Sequence, residues 1–87
     1  MEWFLKSANQ GYATAQVNLG MFYQYGYGIP QDYKKALSWY QKAADQGCAG
    51  AQFSIGCLYN NGYGAPHDYS LAMEWYLKSA KLKTRLA

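Results

Sequence analysis

The amino-acid sequence repeats itself with a period of 36 residues. When the chain is shifted by 36 positions, residues 11–46 align with residues 47–82, and 17 of the 36 pairs are identical. The opening sequence MEWFLKSANQ also matches MEWYLKSAKL, residues 73–82, at seven of ten positions. A unit of this length cannot bury its apolar face alone and has to stack on neighbouring units. The period therefore predicts a solenoid.

Each unit has the pattern of two helices, so the predicted fold class is all-α, with about five helices in total. The first helices are predicted near residues 13–25 and 49–61. In the second helix of the first unit, apolar residues recur at helical spacing. They are Tyr33, Ala36, Leu37, Tyr40, Ala43 and Ala44. The same stripe is expected in the next unit, at Tyr69, Ala72, Met73, Tyr76, Ser79 and Ala80. Asp32 and Asp68 suit the N-caps of these helices.

Two kinds of glycine recur in both units. The sequence YGYGIPQDY, residues 25–33, returns as NGYGAPHDY, residues 61–69. A dinucleotide-binding fingerprint needs G-x-G-x-x-G after a strand and before a helix. Here the glycines follow a predicted helix, and the third glycine of the fingerprint is missing. The segment is therefore interpreted as the joint between the two helices of a unit. Gly20 and Gly56 fall inside the first helices, which indicates a close helix contact. Ala36 and Ala72 are the expected facing residues.

Composition and charge exclude several classes of protein. No run of about 18 apolar residues occurs, so no membrane-spanning segment is predicted. The first residues lack the pattern of a signal peptide. Cys48 and Cys57 lie nine positions apart, about 13 Å along a shared helix, which is too far for a disulfide. Free thiols favour a cytoplasmic location. Lys81, Lys83 and Arg85 are interpreted as a solvated helix end, with an acidic partner, a phosphate or a lipid headgroup as the alternative.

No constellation of residues predicts catalysis, metal binding or a cofactor. The single histidine, His67, lies in the second joint, and nothing in the pattern brings it to Cys57 as a nucleophile–base pair. One histidine and two separated cysteines do not form a metal-ligand cluster. Most of the tyrosines recur at fixed repeat positions, as packing residues do, and the charge is too sparse for a phosphate track. We therefore expect neither an enzyme nor a nucleic-acid-binding protein.

Comparing the two first helices separates them into a matched and an unmatched side. We call the unmatched side the divergent face. In the first unit it consists of Thr14, Val17, Asn18, Met21, Gln24 and Tyr25. In the second unit it consists of Gly50, Phe53, Ser54, Cys57, Asn60 and Asn61. Packing would demand the same residue in each unit, whereas a surface that contacts a non-repeating partner would not. The divergent face is therefore the predicted binding groove, and drift of an exposed surface is the alternative.

The motifs resemble the Sel1-like repeat, a relative of the tetratricopeptide repeat. They are A-x-x-x-L-G-x-x-Y from Ala15 to Tyr23, the G-x-G joint with its proline and aspartate, and A-x-x-W-Y-x-K-A-A from Ala36 to Ala44. The resemblance implies a right-handed α/α solenoid in which the first helices line a concave face. It also implies an adaptor that holds other proteins together. A cysteine-rich branch with reported β-lactamase activity is not indicated, because its cysteine pattern is missing.

The resemblance covers residues 1–82 and suggests the organisation of the chain. Residues 1–10 are assigned to the second helix of a partial leading repeat, residues 11–46 and 47–82 to two repeats, and residues 83–87 to a helical extension or cap. The predicted function is non-catalytic binding of a protein or peptide partner on the concave face. The alternatives are a structural spacer and a regulatory region of a larger signalling protein such as a kinase. Self-association through exposed repeat ends is a further expectation.

Overall fold

The computed structural model describes the backbone of residues 2–85 and the side chains of residues 5–81. Within that range the chain is all-helical, and no β-strand occurs. Five helices follow one another: α1 (Glu2–Asn9), α2 (Ala13–Tyr25), α3 (Tyr33–Ala44), α4 (Ala49–Asn61) and α5 (Tyr69–Arg85). The predicted all-α class and the number of helices are confirmed.

Each helix packs on its neighbours along the chain, as stacked hairpins do. Helix α2 lies between α1 and α3, and α4 lies between α3 and α5. The largest fully buried side chains are Tyr40, Leu19, Ile55 and Leu58. Tyr40, Ile55 and Leu58 form one cluster with small alanines of α3 and α4, among them Ala36, Ala43 and Ala51. Leu19 belongs to a second cluster with Ala8 and Ala15. Since these residues come from both units, the core extends across the boundary between units, and neither unit encloses a core of its own.

The ends of the helices follow from local sequence. Asp32 caps α3 by accepting a hydrogen bond from the backbone N–H of Lys35 at 3.1 Å. Asp68 accepts in the same way from Leu71 at 3.0 Å at the start of α5. Gly26 ends α2 with a left-handed φ of 70°, a conformation that glycine adopts without the steric cost of a side chain. The twin-glycine segment is therefore the joint between α2 and α3.

The close contact at the mid-helix glycines is made by a tyrosine ring. A Cβ at Gly20 would lie 2.5 Å from Cε1 of Tyr40, and a Cβ at Gly56 would lie 2.8 Å from the ring of Tyr76. The nearest neighbour of Gly20 is therefore the ring of Tyr40, which the sequence did not indicate. Tyr40 lies one turn beyond Ala36 on α3, and its long flat ring fills this space. At Gly56 the carbonyl oxygen of Ala72 is a second neighbour, at 3.2 Å.

The apolar stripe of α5 is only partly buried. Ala72 and Ser79 are buried, as the pattern predicts, but Tyr69 and Met73 are exposed. Their counterparts on α3 are partly covered, because Tyr33 and Leu37 pack against the core cluster that α4 completes. No described helix covers α5 in this way.

Helix α5 is also longer than α3, with 17 residues against 12. Lys81 is exposed. The side chains of Lys83 and Arg85, which complete the predicted basic cluster, and residues 86–87 of the predicted cap lie outside the described residues.

Cys48 and Cys57 are free thiols. None of the described helices combines the length and the apolar character of a membrane-spanning segment.

Candidate binding surface

The divergent face lies on the open side of α2 and α4. None of its twelve residues is buried; in α2, for instance, Thr14, Met21 and Tyr25 are exposed and Val17, Asn18 and Gln24 are half-buried. In α4, Gly50, Phe53 and Asn61 are exposed, whereas Ser54, Cys57 and Asn60 are half-buried. The buried residues of α2 all belong to the matched side: Ala15, Gln16, Leu19 and Gly20. The positions of the divergent face are therefore the less buried ones, although the copies also differ at two core-facing positions, Leu19 against Ile55 and Phe22 against Leu58.

Tyr40 of α3 connects the two halves of the divergent face. Its ring is buried against Gly20, and its hydroxyl donates a hydrogen bond to Oε1 of Gln24 at 2.6 Å. The side chain of Ser54 of α4 also acts on this hydroxyl, and it lowers the pKa against the larger effect of burial. Gln24 and Ser54 thus both act on Tyr40, although they belong to different units. Burial raises the pKa of the Tyr40 hydroxyl well above its ordinary value, so this donor stays protonated.

Tyr76 occupies the corresponding position in the second unit, with different partners. Its hydroxyl donates to Sγ of Cys57 at 3.6 Å, and its ring lies 5.3 Å from the ring of Phe53. Burial raises the pKa of Tyr76 to about 12, and the hydrogen bond with Cys57 adds to the shift. Phe53 and Cys57 therefore lie together at this end of the surface, both in contact with α5.

The hydrogen bonds orient the side-chain amides of the divergent face. Because Oε1 of Gln24 accepts from Tyr40, its NH₂ group remains as a donor toward a ligand. The backbone carbonyl of Gln24 accepts from Nε2 of Gln31 at 2.6 Å, which ties the end of α2 to the joint. Asn61 donates to the carbonyl of Cys57 at 2.9 Å within its own helix. The surface therefore combines fixed and adjustable amide groups.

The divergent face contains no charged residue. Its apolar members are Val17, Met21, Tyr25 and Phe53. Val17 also packs against the core cluster, so it is partly structural. Such a surface suits uncharged ligand groups, because a buried charge would find no partner on it.

The structure does not bring all the predicted residues into one place. Thr14 lies at the start of α2 and Asn61 at the end of α4. Each helix has 13 residues and is therefore about 20 Å long. The ends of the surface are too far apart to hold one small molecule, whereas an extended polypeptide could reach both.

Sequence reasoning assigned Tyr40 and Tyr76 to the core alone and missed their hydroxyl groups. The indication was present in the sequence, because both copies carry tyrosine where phenylalanine would fill the same space. A buried tyrosine hydroxyl usually has a hydrogen-bond partner. The partners, Gln24 in one unit and Cys57 in the other, are not in equivalent positions. The repeat alone could not identify them.

Groups for catalysis or metal binding do not gather at this surface. His67 lies in the joint after α4, with its ring edge-on to Tyr69 at 4.0 Å. Among the described residues, no group of three or more histidine, cysteine, aspartate or glutamate side chains is placed to hold a metal ion.

Comparisons with known proteins place the chain in a family. The Sel1 repeat model matches residues 1–12, 13–48 and 49–83. The crystal structure of a Sel1 repeat protein from Oxalobacter formigenes is 42% identical, with a TM-score of 0.87 over 93% of this chain. The protective antigen c5321 of uropathogenic Escherichia coli, which displays an SLR fold, is 41% identical, with a TM-score of 0.91 over 93% of this chain.

The chain spans 33% of the Oxalobacter protein and 17% of c5321. No curated protein matches it in sequence. Sel1 repeats are generally non-catalytic scaffolds that serve as protein–protein interaction modules. From the family match over nearly its whole length, the chain belongs to the Sel1 repeat family.

Proposed function

We propose that the chain is a non-catalytic binding module that takes a protein or peptide segment on the divergent face of α2 and α4. The observation that carries the proposal is the coincidence of two patterns. All six positions differ between the copies on this face, and none of the twelve residues is buried. A repeating scaffold needs the same residue at each packing position, but it contacts a non-repeating ligand with different residues in each unit.

The chemistry of the face favours an extended, uncharged polypeptide. The amides of Asn18, Gln24 and Asn60 can each donate and accept, as a peptide backbone does. Met21 and Phe53 supply adaptable and aromatic contact area of the kind enriched at interfaces. Charged ligand side chains would remain outside the face, where water can solvate them.

Tyr40 supports the proposal by holding one member of the face in place. Oε1 of Gln24 accepts a hydrogen bond from its hydroxyl, so the Gln24 side chain loses little further freedom when a ligand arrives. Ordering a flexible side chain at an interface costs about 0.5–1.5 kcal/mol, and an orientation that is already fixed avoids part of that cost.

The proposal is tested by selecting peptides from a displayed random library against the folded chain. Binding of a selected peptide is then measured for Met21→Glu and for Phe53→Val, which installs the residue of the first copy. Both changes should weaken binding by about tenfold or more, because an apolar anchor is lost. Gln41→Glu, on the exposed side of α3, is the matched control and should bind as the wild type does.

Equal binding by all variants would place the ligand elsewhere and contradict the proposal. If the folded chain selects no peptide at all, the spacer alternative is favoured. Circular dichroism of each variant establishes that the helices are intact before binding is compared.

A further inference from the structure

Gln24, near the end of α2, is held in place by a buried side chain. Its Oε1 accepts the hydrogen bond from the Tyr40 hydroxyl at 2.6 Å. The ring of Tyr40 is fully buried against Gly20, so it cannot turn away from α2. The backbone of Gln24 is fixed as well, because its carbonyl accepts from Nε2 of Gln31 at 2.6 Å. Both ends of this residue are therefore tied to the scaffold.

The hydroxyl of Tyr40 decides which end of the Gln24 amide is left for a ligand. Burial raises the pKa of Tyr40, and the side chain of Ser54 lowers it in part, as a hydrogen-bond donor to the hydroxyl oxygen does. The hydroxyl therefore keeps its proton and donates it to Oε1 of Gln24. Within the described part of the chain, no hydrogen bond engages Nε2 of Gln24. The group that remains for a ligand is a donor.

The second unit lacks this arrangement. Asn60 stands at the position of Gln24 and is shorter by one methylene group, and the hydroxyl of Tyr76 donates to Sγ of Cys57 instead. The amide of Asn60 is therefore not oriented by the tyrosine and can present either its oxygen or its NH₂ group. Both units carry the tyrosine, so the fixed donor depends on the glutamine at position 24.

The absence of charge on the first helices indicates which acceptor fits this donor. Neither α2 nor α4 has a charged residue along its 13 residues. A ligand carboxylate beside Gln24 would find no cation on these helices, and burying it there would cost free energy. A main-chain carbonyl accepts a hydrogen bond without carrying a charge, and every residue of a polypeptide supplies one.

We propose that Gln24 is a specificity-determining residue of the divergent face, which binds a main-chain carbonyl of the ligand through Nε2 and rejects a donor at that position. Tyr40 is then a positioning residue that acts through Gln24. The inference rests on the proposed function, because it requires a polypeptide on this face. A ligand N–H opposite Nε2 would leave two donors unpaired, and such a mismatch should weaken binding about tenfold.

Two substitutions at position 24 test the polarity of the contact. A peptide selected by the folded chain is first placed on the divergent face by its weaker binding to Met21→Glu. Gln24→Met removes the NH₂ group at similar side-chain length and should weaken binding about tenfold. Gln24→Glu keeps an acceptor for Tyr40 but sets an oxygen against the ligand carbonyl, so it should weaken binding further than Gln24→Met does.

A double-mutant cycle tests the role of Tyr40. Tyr40→Phe removes only the hydroxyl and should weaken binding about threefold, because the Gln24 side chain is then free to rotate. In the Gln24→Met background the same change should leave binding as it is. A structural role alone would weaken both backgrounds alike. Tyr76→Phe, at the same repeat position, is the matched control, and its effect should not depend on the residue at position 24.

The outcomes separate this inference from the proposed function. If Met21→Glu weakens binding but Gln24→Met does not, a ligand lies on the face and the role of Gln24 is overturned. Binding by Gln24→Glu that equals or exceeds that of Gln24→Met also overturns it, because a ligand N–H would then face position 24. A folded chain that selects no peptide, or a peptide that Met21→Glu does not weaken, contradicts both proposals. Circular dichroism of each variant checks that the helices are intact.

Discussion

The ring of Tyr40 lies so close to Gly20 that a Cβ added to this glycine would come within 2.5 Å of Cε1. The tyrosine is fully buried, so its ring cannot swing aside into solvent. This one contact sets how closely α2 and α3 approach each other. In this position of the ring, the Tyr40 hydroxyl reaches Gln24 on the divergent face. Tyr40 therefore both packs α3 against α2 and contacts a residue of the candidate site.

Gly20→Ala should destabilise the protein even though alanine is the better helix former. Helix propensity favours alanine by about 1 kcal/mol, but overpacking against a buried ring costs about 1–3 kcal/mol. Gly50→Ala is the matched control, because Gly50 is also helical and has nothing within 4 Å of its added Cβ. It should be neutral or stabilising. Urea unfolding measures both, and stabilisation by Gly20→Ala would contradict the contact.

Gln16 and Gln52 occupy the same repeat position, but they should contribute unequally to the free energy of unfolding. Gln16 donates to the carbonyl of Ala8 at 3.1 Å and accepts from Gln46 at 2.9 Å. Gln52 donates to the carbonyl of Ala44 at 3.4 Å, but its buried Oε1 has no partner. The counterpart of Gln46 is Leu82, whose side chain has no donor.

Gln16→Met should therefore cost about 2 kcal/mol, since two hydrogen bonds are lost. Gln52→Met removes an unsatisfied oxygen as well as one long hydrogen bond, so it should change stability by less than about 1 kcal/mol. Denaturant titration of the two variants gives the comparison. Equal losses would show that the oxygen of Gln52 is satisfied, for instance by an ordered water.

Gly64 and Gly28 are equivalent joint glycines that should tolerate alanine unequally. Both have left-handed φ angles, +79° and +73°, so alanine strains either by roughly 1–2 kcal/mol. At Gly64 a Cβ would also lie 2.7 Å from the backbone oxygen of Tyr33, whereas at Gly28 nothing lies within 4 Å.

Gly64→Ala should therefore lower the melting temperature more than Gly28→Ala does. It should also disturb the stacking of Tyr63 on Tyr33, whose ring centroids are 4.5 Å apart. Thermal unfolding and the near-ultraviolet circular dichroism of the aromatic residues report the two effects. Similar melting temperatures would argue against close packing of the second joint on α3.

Stability should fall at alkaline pH because the pKa values of two tyrosines, Tyr40 and Tyr76, are raised in the folded chain. The pKa of Tyr76 is raised from 10.0 to about 12 in the folded chain, and that of Tyr40 is raised as well. Above pH 10 the unfolded chain loses protons that these residues keep when folded. The free energy of unfolding therefore decreases as pH rises from about 10 to 12, and the stabilisation is intact below that range.

Urea unfolding across this pH range measures the slope, and Tyr76→Phe should make it shallower. Tyr12→Phe is a control, because Tyr12 is an exposed tyrosine, with 61% of its surface accessible. An unchanged slope for Tyr76→Phe would contradict the assignment.

The architecture could be predicted from the sequence. The period is visible when residues 36 positions apart are compared. The helices of each unit, the aspartate caps and the glycine joint could be predicted because each depends on residues within about four positions of one another. The comparison of the two copies also separated the buried side of α2 from its open side. Local interactions and repeat stacking leave few other folds for such a chain.

Which side chains meet depends on how the helices pack in three dimensions. That the ring of Tyr40 packs on Gly20, that its hydroxyl reaches Gln24, and that Oε1 of Gln52 lacks a donor depend on residues 16 to 30 positions apart. These contacts are set by the spacing and crossing of packed helices, which the pattern of one helix does not contain.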